Sequence, residues 1–273
     1  MPGDDFNFGE DVAVQGNQIP APTRSQIQYP LDRQSVEAVR KALEETITFK
    51  TIQLEPGEDI QATIDKLNTE GGGTVLLSVG TYSLRRNINL TSRISLIGAG
   101  VDRTILEFNS LAFGLRMIGT ASALLNNIKI AELTVQNSNN TAGIDIDFSD
   151  YWTMENVRVT SCDQAGITIA RCQNYILDNI RSSLNTGNGF EFTIPSSDRN
   201  HENFNATNLI SISNTGIGFR FDLNSGSTSA LFKNFSFINC RADNNTGDGF
   251  DLSSTSAPTV TAAWDSRFIG CTS

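Results

Sequence analysis

Four charged side chains stand at related offsets in one repeated phrase: Glu191, Arg220, Asp222 and Asp251. Each follows a glycine and a phenylalanine, as in Gly189-Phe190-Glu191-Phe192, Gly218-Phe219-Arg220-Phe221-Asp222 and Gly249-Phe250-Asp251-Leu252. If the phrases stack as strands, Glu191 and Asp251 lie two strand spacings apart, about 9.6 Å. That is near the upper end of the separation used by an inverting carboxylate pair. In such a pair one acid protonates the leaving oxygen and the other activates a water. Arg220 would sit between the two acids, with Asp222 beside it. The chemistry these residues could support is cleavage or elimination on a glycan. An ordinary solvated ladder, in which alternating charge fixes strand register, accounts for the same residues. The ladder is the favoured reading, and no catalytic residue is assigned.

Other reactive side chains point the same way. Asp248 has Asn188 and Ile217 as its counterparts, so the position serves a turn. The single histidine, His201, lies in a polar stretch and is expected at the surface. Cys162, Cys172, Cys240 and Cys271 show no zinc-like spacing. Cys240 and Cys271 share one offset in Phe237-Ile238-Asn239-Cys240 and Phe268-Ile269-Gly270-Cys271, which places them on adjacent rungs. A disulfide is sterically conceivable there, but two buried free thiols packing as small hydrophobes are favoured. There is no Walker loop, Ser-His-Asp set or metal cluster. No metal and no cofactor are expected.

The elements that would position these residues are repeats. Asn185-Thr186-Gly187, Asn214-Thr215-Gly216 and Asn245-Thr246-Gly247 begin 29 and then 31 residues apart, a period typical of stacked repeats. Weaker copies start at Gly143 and Gly166. Aligned on the glycine, the next residue reads Ile144, Ile167, Phe190, Phe219, Phe250, and two further on Ile146, Ile169, Phe192, Phe221, Leu252. The residue between them is Asp145, Thr168, Glu191, Arg220 or Asp251, so each segment alternates in-out-in as a strand with one buried face. Asn127-Ile128, Asn156-Val157, Asn179-Ile180, Asn208-Leu209 and Asn234-Phe235 read as the openings of a second repeated strand. In the Asn-Thr-Gly turns, residues tolerant of unusual φ are expected. A 23-residue step is too short for a strand, a full helix and a return, so like strands stack on like strands. The fold expected is all-β: a right-handed parallel β-helix over 73–273, its hand that of parallel crossovers.

Composition sets further bounds. Of 22 aromatic residues 16 are Phe, concentrated in the repeats as core filling, and the net charge is −10. With no Lys/Arg block, neither nucleic acid nor an anionic membrane is an expected partner. No apolar run is long enough to span a bilayer, and Met1-Pro2-Gly3-Asp4-Asp5-Phe6 has no secretory signal character. Residues 1–31, with four of the seven prolines, read as an extended N-terminal arm that needs a partner to lie on. Residues 32–72 read as a helical N-terminal cap. Within it, Ser35 to Thr46 has Val36, Val39, Ala42, Leu43 and Ile47 near one face.

The stretch from Phe49 to Leu84 holds Ile60-Gln61-Ala62-Thr63-Ile64, then Gly71-Gly72-Gly73 and Gly80-Thr81-Tyr82. It resembles the opening segment of the pectate-lyase-like β-helix superfamily, which includes many phage tailspikes. The resemblance implies a short helix capping the first coil through Ile60, Ile64 and Leu67. A lyase of that superfamily needs clustered Asp ligands and a catalytic Arg; its pectin-hydrolysing branch uses Asn-Thr-Asp, Asp-Asp and Gly-His-Gly. None of these motifs is present. The expected function is therefore a non-enzymatic structural protein of a phage-type virion, a capsid decoration or tail-spike-like component made in the host cytoplasm. By the same resemblance it is a homotrimer in a larger assembly. The chain stops directly after a rung strand, so the expectation is either a partner that covers the last rung or a truncated form of a longer chain. The alternatives are a polysaccharide-processing enzyme, using Glu191, Arg220, Asp251 and Asp222, and a carbohydrate-binding module.

Overall fold

The computed structural model describes residues 50–108, 114–139, 141–195, 199–223, 232–252 and 266–273. The expected arm and the expected helix Ser35 to Thr46 lie outside the described residues.

Two parallel sheets carry the fold. One runs Lys50–Leu54, Gly73–Leu77, Ile94–Ile97, Leu125–Gln136, Ser149–Thr160, Gln173–Ser183, His201–Thr207, Phe232–Ile238, Ser266–Ile269, with four further strands, Gly80–Leu84, Thr104–Phe108, Ile210–Ile212 and Arg241–Asp243, completing it. The other runs Ile88–Asn89, Leu115–Ile118, Ile144–Asp147, Ile167–Ala170, Phe190–Ile194, Phe219–Leu223, Phe250–Asp251. A turn lays one strand in the second sheet and one long strand or two shorter ones in the first, and each pairs in parallel with its counterpart of the turn before, which makes a parallel β-helix. The sheet begins at Lys50, ahead of the expected start near Gly73. The alternation of Lys50–Leu54 buries Leu54 and pairs Ile52 with Val75. The helix α1, Ile60–Thr69, then closes this end. Asp59 caps it by accepting from Ala62 N, and Ile60, Ile64 and Leu67 are buried.

Like residues stack because the register repeats. Ile144, Ile167, Phe190, Phe219 and Phe250 share one column. The first four are fully buried and Phe250 packs partly buried against them. Ring centroids are 4.9 Å apart for Phe190 and Phe219 and 4.7 Å for Phe219 and Phe250, the spacing of the rungs themselves. Trp152, Tyr175, Phe204 and Phe235 form a second stack at 4.5, 4.6 and 4.8 Å. Leu252 departs from its column. It is 44% exposed, because the last strand of the second sheet ends at Asp251.

The asparagines divide differently from the sequence reading. Asn127 and Asn234 share a corner with Tyr151, Asn174 and Asn203. Asn156, Asn179 and Asn208 share another with Glu132 and Asn239. All ten take positive φ, between 50° and 58°. Asn accepts this backbone at lower cost than other side chains, which is why it recurs at both bends. Two corners with one chemistry look alike in sequence, and strand register separates them. In the Asn-Thr-Gly phrase the positive φ falls one residue earlier, on Leu184, Ser213 and Asn244. The asparagine itself points inward. Asn185 N and Nδ2 donate to Asn214 Oδ1 at 3.0 and 2.9 Å, and Asn214 N and Nδ2 donate to Asn245 Oδ1 at 3.1 and 2.9 Å. Gly189 is needed for close approach, not for φ. A Cβ there would lie 2.0 Å from Ser211 Oγ and 2.7 Å from the Gly218 carbonyl.

Candidate functional site

The outward column of the second sheet reads Arg116, Asp145, Thr168, Glu191, Arg220, Asp251 in consecutive register. Glycine turns set the phase of each strand. With Phe190 and Phe192 inward, Glu191 must face out, and Arg220 and Asp251 follow by the same alternation. The four residues of the sequence reading are thus brought to one face. Glu191 and Asp251 are two rungs apart, with Arg220 between them.

Arg220 holds this face together. Its Nη1 lies 3.5 Å from Glu191 Oε1 and its Nη2 donates to Asp222 Oδ2 at 2.8 Å. The side chains are only about a quarter exposed or less. Burial pushes the Glu191 carboxyl above its ordinary range, and Asp222 adds to this, while Arg220 and a bond from Asn188 oppose it. Lower in the column Arg116 Nε stands 3.5 Å from Asp145 Oδ2. There too burial raises the carboxyl, opposed by Arg116. A half-buried face with an acid kept above its usual range could protonate a leaving oxygen. It could equally fix register by charge alternation. Arg220 stands in register between Glu191 and Asp251, where an inverting pair would hold water and the scissile bond.

Sequence reasoning missed the corner beside this face. Arg171 forks onto Asp147 through Nε and Nη2 and lies over the Phe148 ring at 3.9 Å. Arg199 Nη2 donates to Asp150 Oδ2 at 3.0 Å. The signal for the first pair was available: Arg171 follows Asp147 by 24 residues, one rung plus one.

His201 is a correction. It is a core residue, fully buried in the strand His201–Thr207 and stacked on Phe232 at 5.1 Å. The bend at Asn203, with φ at 57°, shifts the alternation by one residue, so His201 turns inward together with Phe204 and Ala206 despite polar neighbours in sequence. Nε2 lies 3.0 Å from Ile169 O and 3.1 Å from Thr193 O, so Nε2 carries the proton. Among the described residues no group of His, Cys, Asp and Glu is placed to hold a metal ion. All four cysteines are free, and Cys271 is half-buried where full burial was expected. No described helix is long and apolar enough to cross a membrane. A shallow hollow bordered by Gln53, Glu55, Ser78 and Val79 lies on the other sheet and includes none of the four candidate residues.

The profile of a family described as rhamnogalacturonase A/epimerase, pectate lyase-like, matches residues 39–263. No curated protein matches the sequence. Among solved structures the chain is similar to ORF18 of Geobacillus virus E2, with 12% identity, a TM-score of 0.47, and coverage of 88% of this chain and 64% of that one. It therefore spans less than two thirds of the viral protein's length. It is also similar to the tailspike protein gp49 of Acinetobacter baumannii bacteriophage Fri1, a capsular polysaccharide depolymerase, with 14% identity, a TM-score of 0.48 and coverage of 82% and 48%. The periplasmic alginate epimerase AlgG is similar at 11% identity, TM-score 0.47, coverage 81% and 55%. At these identities the likeness concerns the fold alone. With the profile covering most of its length, the chain belongs to the rhamnogalacturonase A/epimerase, pectate lyase-like family.

Proposed function

We propose that this chain is a non-enzymatic structural β-helix of a phage-type virion, a capsid decoration or tail-spike-like component that assembles as a homotrimer. Residues 1–31 serve as its anchoring arm, and the helix Ile60–Thr69 caps a β-helical body whose first strand is Lys50–Leu54. The observation that carries the reading is the pairing on the outward face. Arg220 engages Glu191 and Asp222 together and stands in register with Asp251. The engagement of Glu191 and Asp222 by one guanidinium supports a role in strand register over one in turnover. On this reading Glu191→Gln and Asp251→Asn leave attachment to the larger assembly intact and change stability by less than about 1 kcal/mol. The test is an activity screen of wild type on acidic and neutral polysaccharides, scored by release of reducing ends or unsaturated products. Turnover that either substitution abolishes would overturn the structural role.

A second reading has its own support. The family description is that of polysaccharide-processing enzymes, and burial keeps the Glu191 carboxyl raised as a general acid requires. In that case Glu191 protonates the leaving oxygen, Arg220 binds an anionic sugar substituent, and Asp251 or Asp222 takes the second carboxylate role. The same screen decides between the two.

A further inference from the structure

Cys240 and Cys271 occupy equivalent positions on neighbouring rungs. Ile238 pairs with Ile269 just before them and Arg241 bridges Thr272 just after, both in parallel. The two side chains also take one orientation. Cys240 Sγ lies 3.6 Å from Ile238 O and 3.7 Å from Ala206 O. Cys271 Sγ lies 3.8 Å from Ile269 O and 3.5 Å from Phe237 O. Each thiol therefore contacts the carbonyl two residues back and the one 34 residues back, so the sulfurs stack one over the other. One rung is about 4.8 Å, inside the Cα separation that a disulfide spans. Cys240 is fully buried, whereas Cys271 is half-buried and opens towards solvent. Burial raises the Cys240 thiol to about 12, and the adjacent Cys271 thiol adds to the effect. The strand Ser266–Ile269, which this pair would tie down, is held on one side by Phe232–Ile238 and leaves Phe268 and Ile269 exposed.

We propose that Cys240 and Cys271 form a dithiol oxidation site, which a low-molecular-weight disulfide of the glutathione type converts into a staple between two neighbouring rungs. The accessible Cys271 loses its proton, and its thiolate attacks one sulfur of the small disulfide. A mixed disulfide forms and one small thiolate leaves. Cys240 then gives up its proton and attacks the Cys271 sulfur, expelling the second small thiolate. Two protein thiols are oxidised and one small disulfide is reduced to two thiols. The attacking and resolving roles follow from exposure: only Cys271 can be reached first.

The full-length protein is incubated under native conditions with oxidised glutathione, and its peptides are mapped without reduction. The expected product links the Cys240 and Cys271 peptides, reverts with dithiothreitol, and unfolds several degrees above the reduced protein. Cys240→Ser is expected to keep glutathione on Cys271, and Cys271→Ser to remain unmodified while folded. Phenylarsine oxide, which bridges neighbouring thiols, is expected to bind wild type and neither variant. Glutathione that remains on Cys271 of the folded wild type would overturn the proposal. So would two thiols that react only after unfolding, or the absence of arsenical binding.

Discussion

The imidazole of His201 is neutral at pH 7 because it is enclosed by Tyr175, Phe204 and Phe232, and this outweighs the bonds from Nε2 to backbone carbonyls, which favour the charged form. Tyr175 Oη, 3.3 Å from Nδ1, then donates to the unprotonated nitrogen. Burial lowers the His201 pKa to about 3 from an ordinary 6.5. The folded state therefore refuses a proton that the unfolded chain accepts. The stability in question is fully present above about pH 6.5 and falls as pH drops from there towards about 3, by a few kcal/mol in all. Glu191 and Asp145 act in the opposite sense, since their raised pKa values make folding easier as they protonate. Urea unfolding at a series of pH values is expected to show the histidine loss. His201→Gln, although less stable at pH 7, should show a flatter dependence between pH 6.5 and 4. An equal slope in both proteins would mean that other groups set the acid sensitivity.

At the scale of the strand, two columns hold adjacent rungs together by different means. The Phe190, Phe219 and Phe250 stack supplies apolar contact above and below each ring. Phe219→Ala removes the middle ring from a fully buried site and is expected to cost about 3–5 kcal/mol in chemical denaturation. Phe219→Asp should prevent folding, since it buries an unpaired charge. The internal asparagine column works by hydrogen bonding. Asn214→Ala leaves Asn185 N without its acceptor in a site closed to water, and about 1–3 kcal/mol should be lost. Asn205→Ala, in an exposed position where Asn205 Oδ1 accepts from Ser236 Oγ, is the comparison, and a loss below about 1 kcal/mol is expected. Equal losses at Asn205 and Asn214 would show that burial of the inner column contributes nothing.

At the scale of the molecule, a solenoid buries each rung against its neighbours. The helix α1 covers one end with Ile60, Ile64 and Leu67. Around the strand Ser266–Ile269, Leu252, Phe268 and Ile269 remain 38–52% exposed. An exposed apolar strand edge invites pairing with another chain. In the proposed trimer this surface lies between copies, and the native mass at micromolar concentration should be that of three chains. Ile269→Lys, which places a charge on the exposed edge, should shift the mass towards one chain while the circular dichroism stays that of a β-helix. A wild-type protein of single-chain mass would end the trimer proposal.

The repeat of in-out-in triplets was legible before any coordinates, because a two-residue period fixes which side chains turn inward whatever the strand pairs with. From it came the fold class, the phenylalanine stack and the shared face of Glu191, Arg220, Asp222 and Asp251, while the equivalence of Cys240 and Cys271 came from their common offset after Phe237 and Phe268. The capping role of Ile60, Ile64 and Leu67 came from the resemblance in the opening segment. Three matters depended on tertiary structure. The two asparagine corners share one residue preference, since both need positive φ, and only register separates them. The inward turn of Asn185 and Asn214 is satisfied by the amide one rung away, 29 or 31 residues along the chain, which no local pattern contains. His201 was misplaced because its sequence neighbours are polar, while the groups that satisfy it, Ile169 O, Thr193 O and Tyr175 Oη, come from other strands. Alternation along a strand is a property of consecutive residues; hydrogen-bond satisfaction in a core is a property of the rungs above and below.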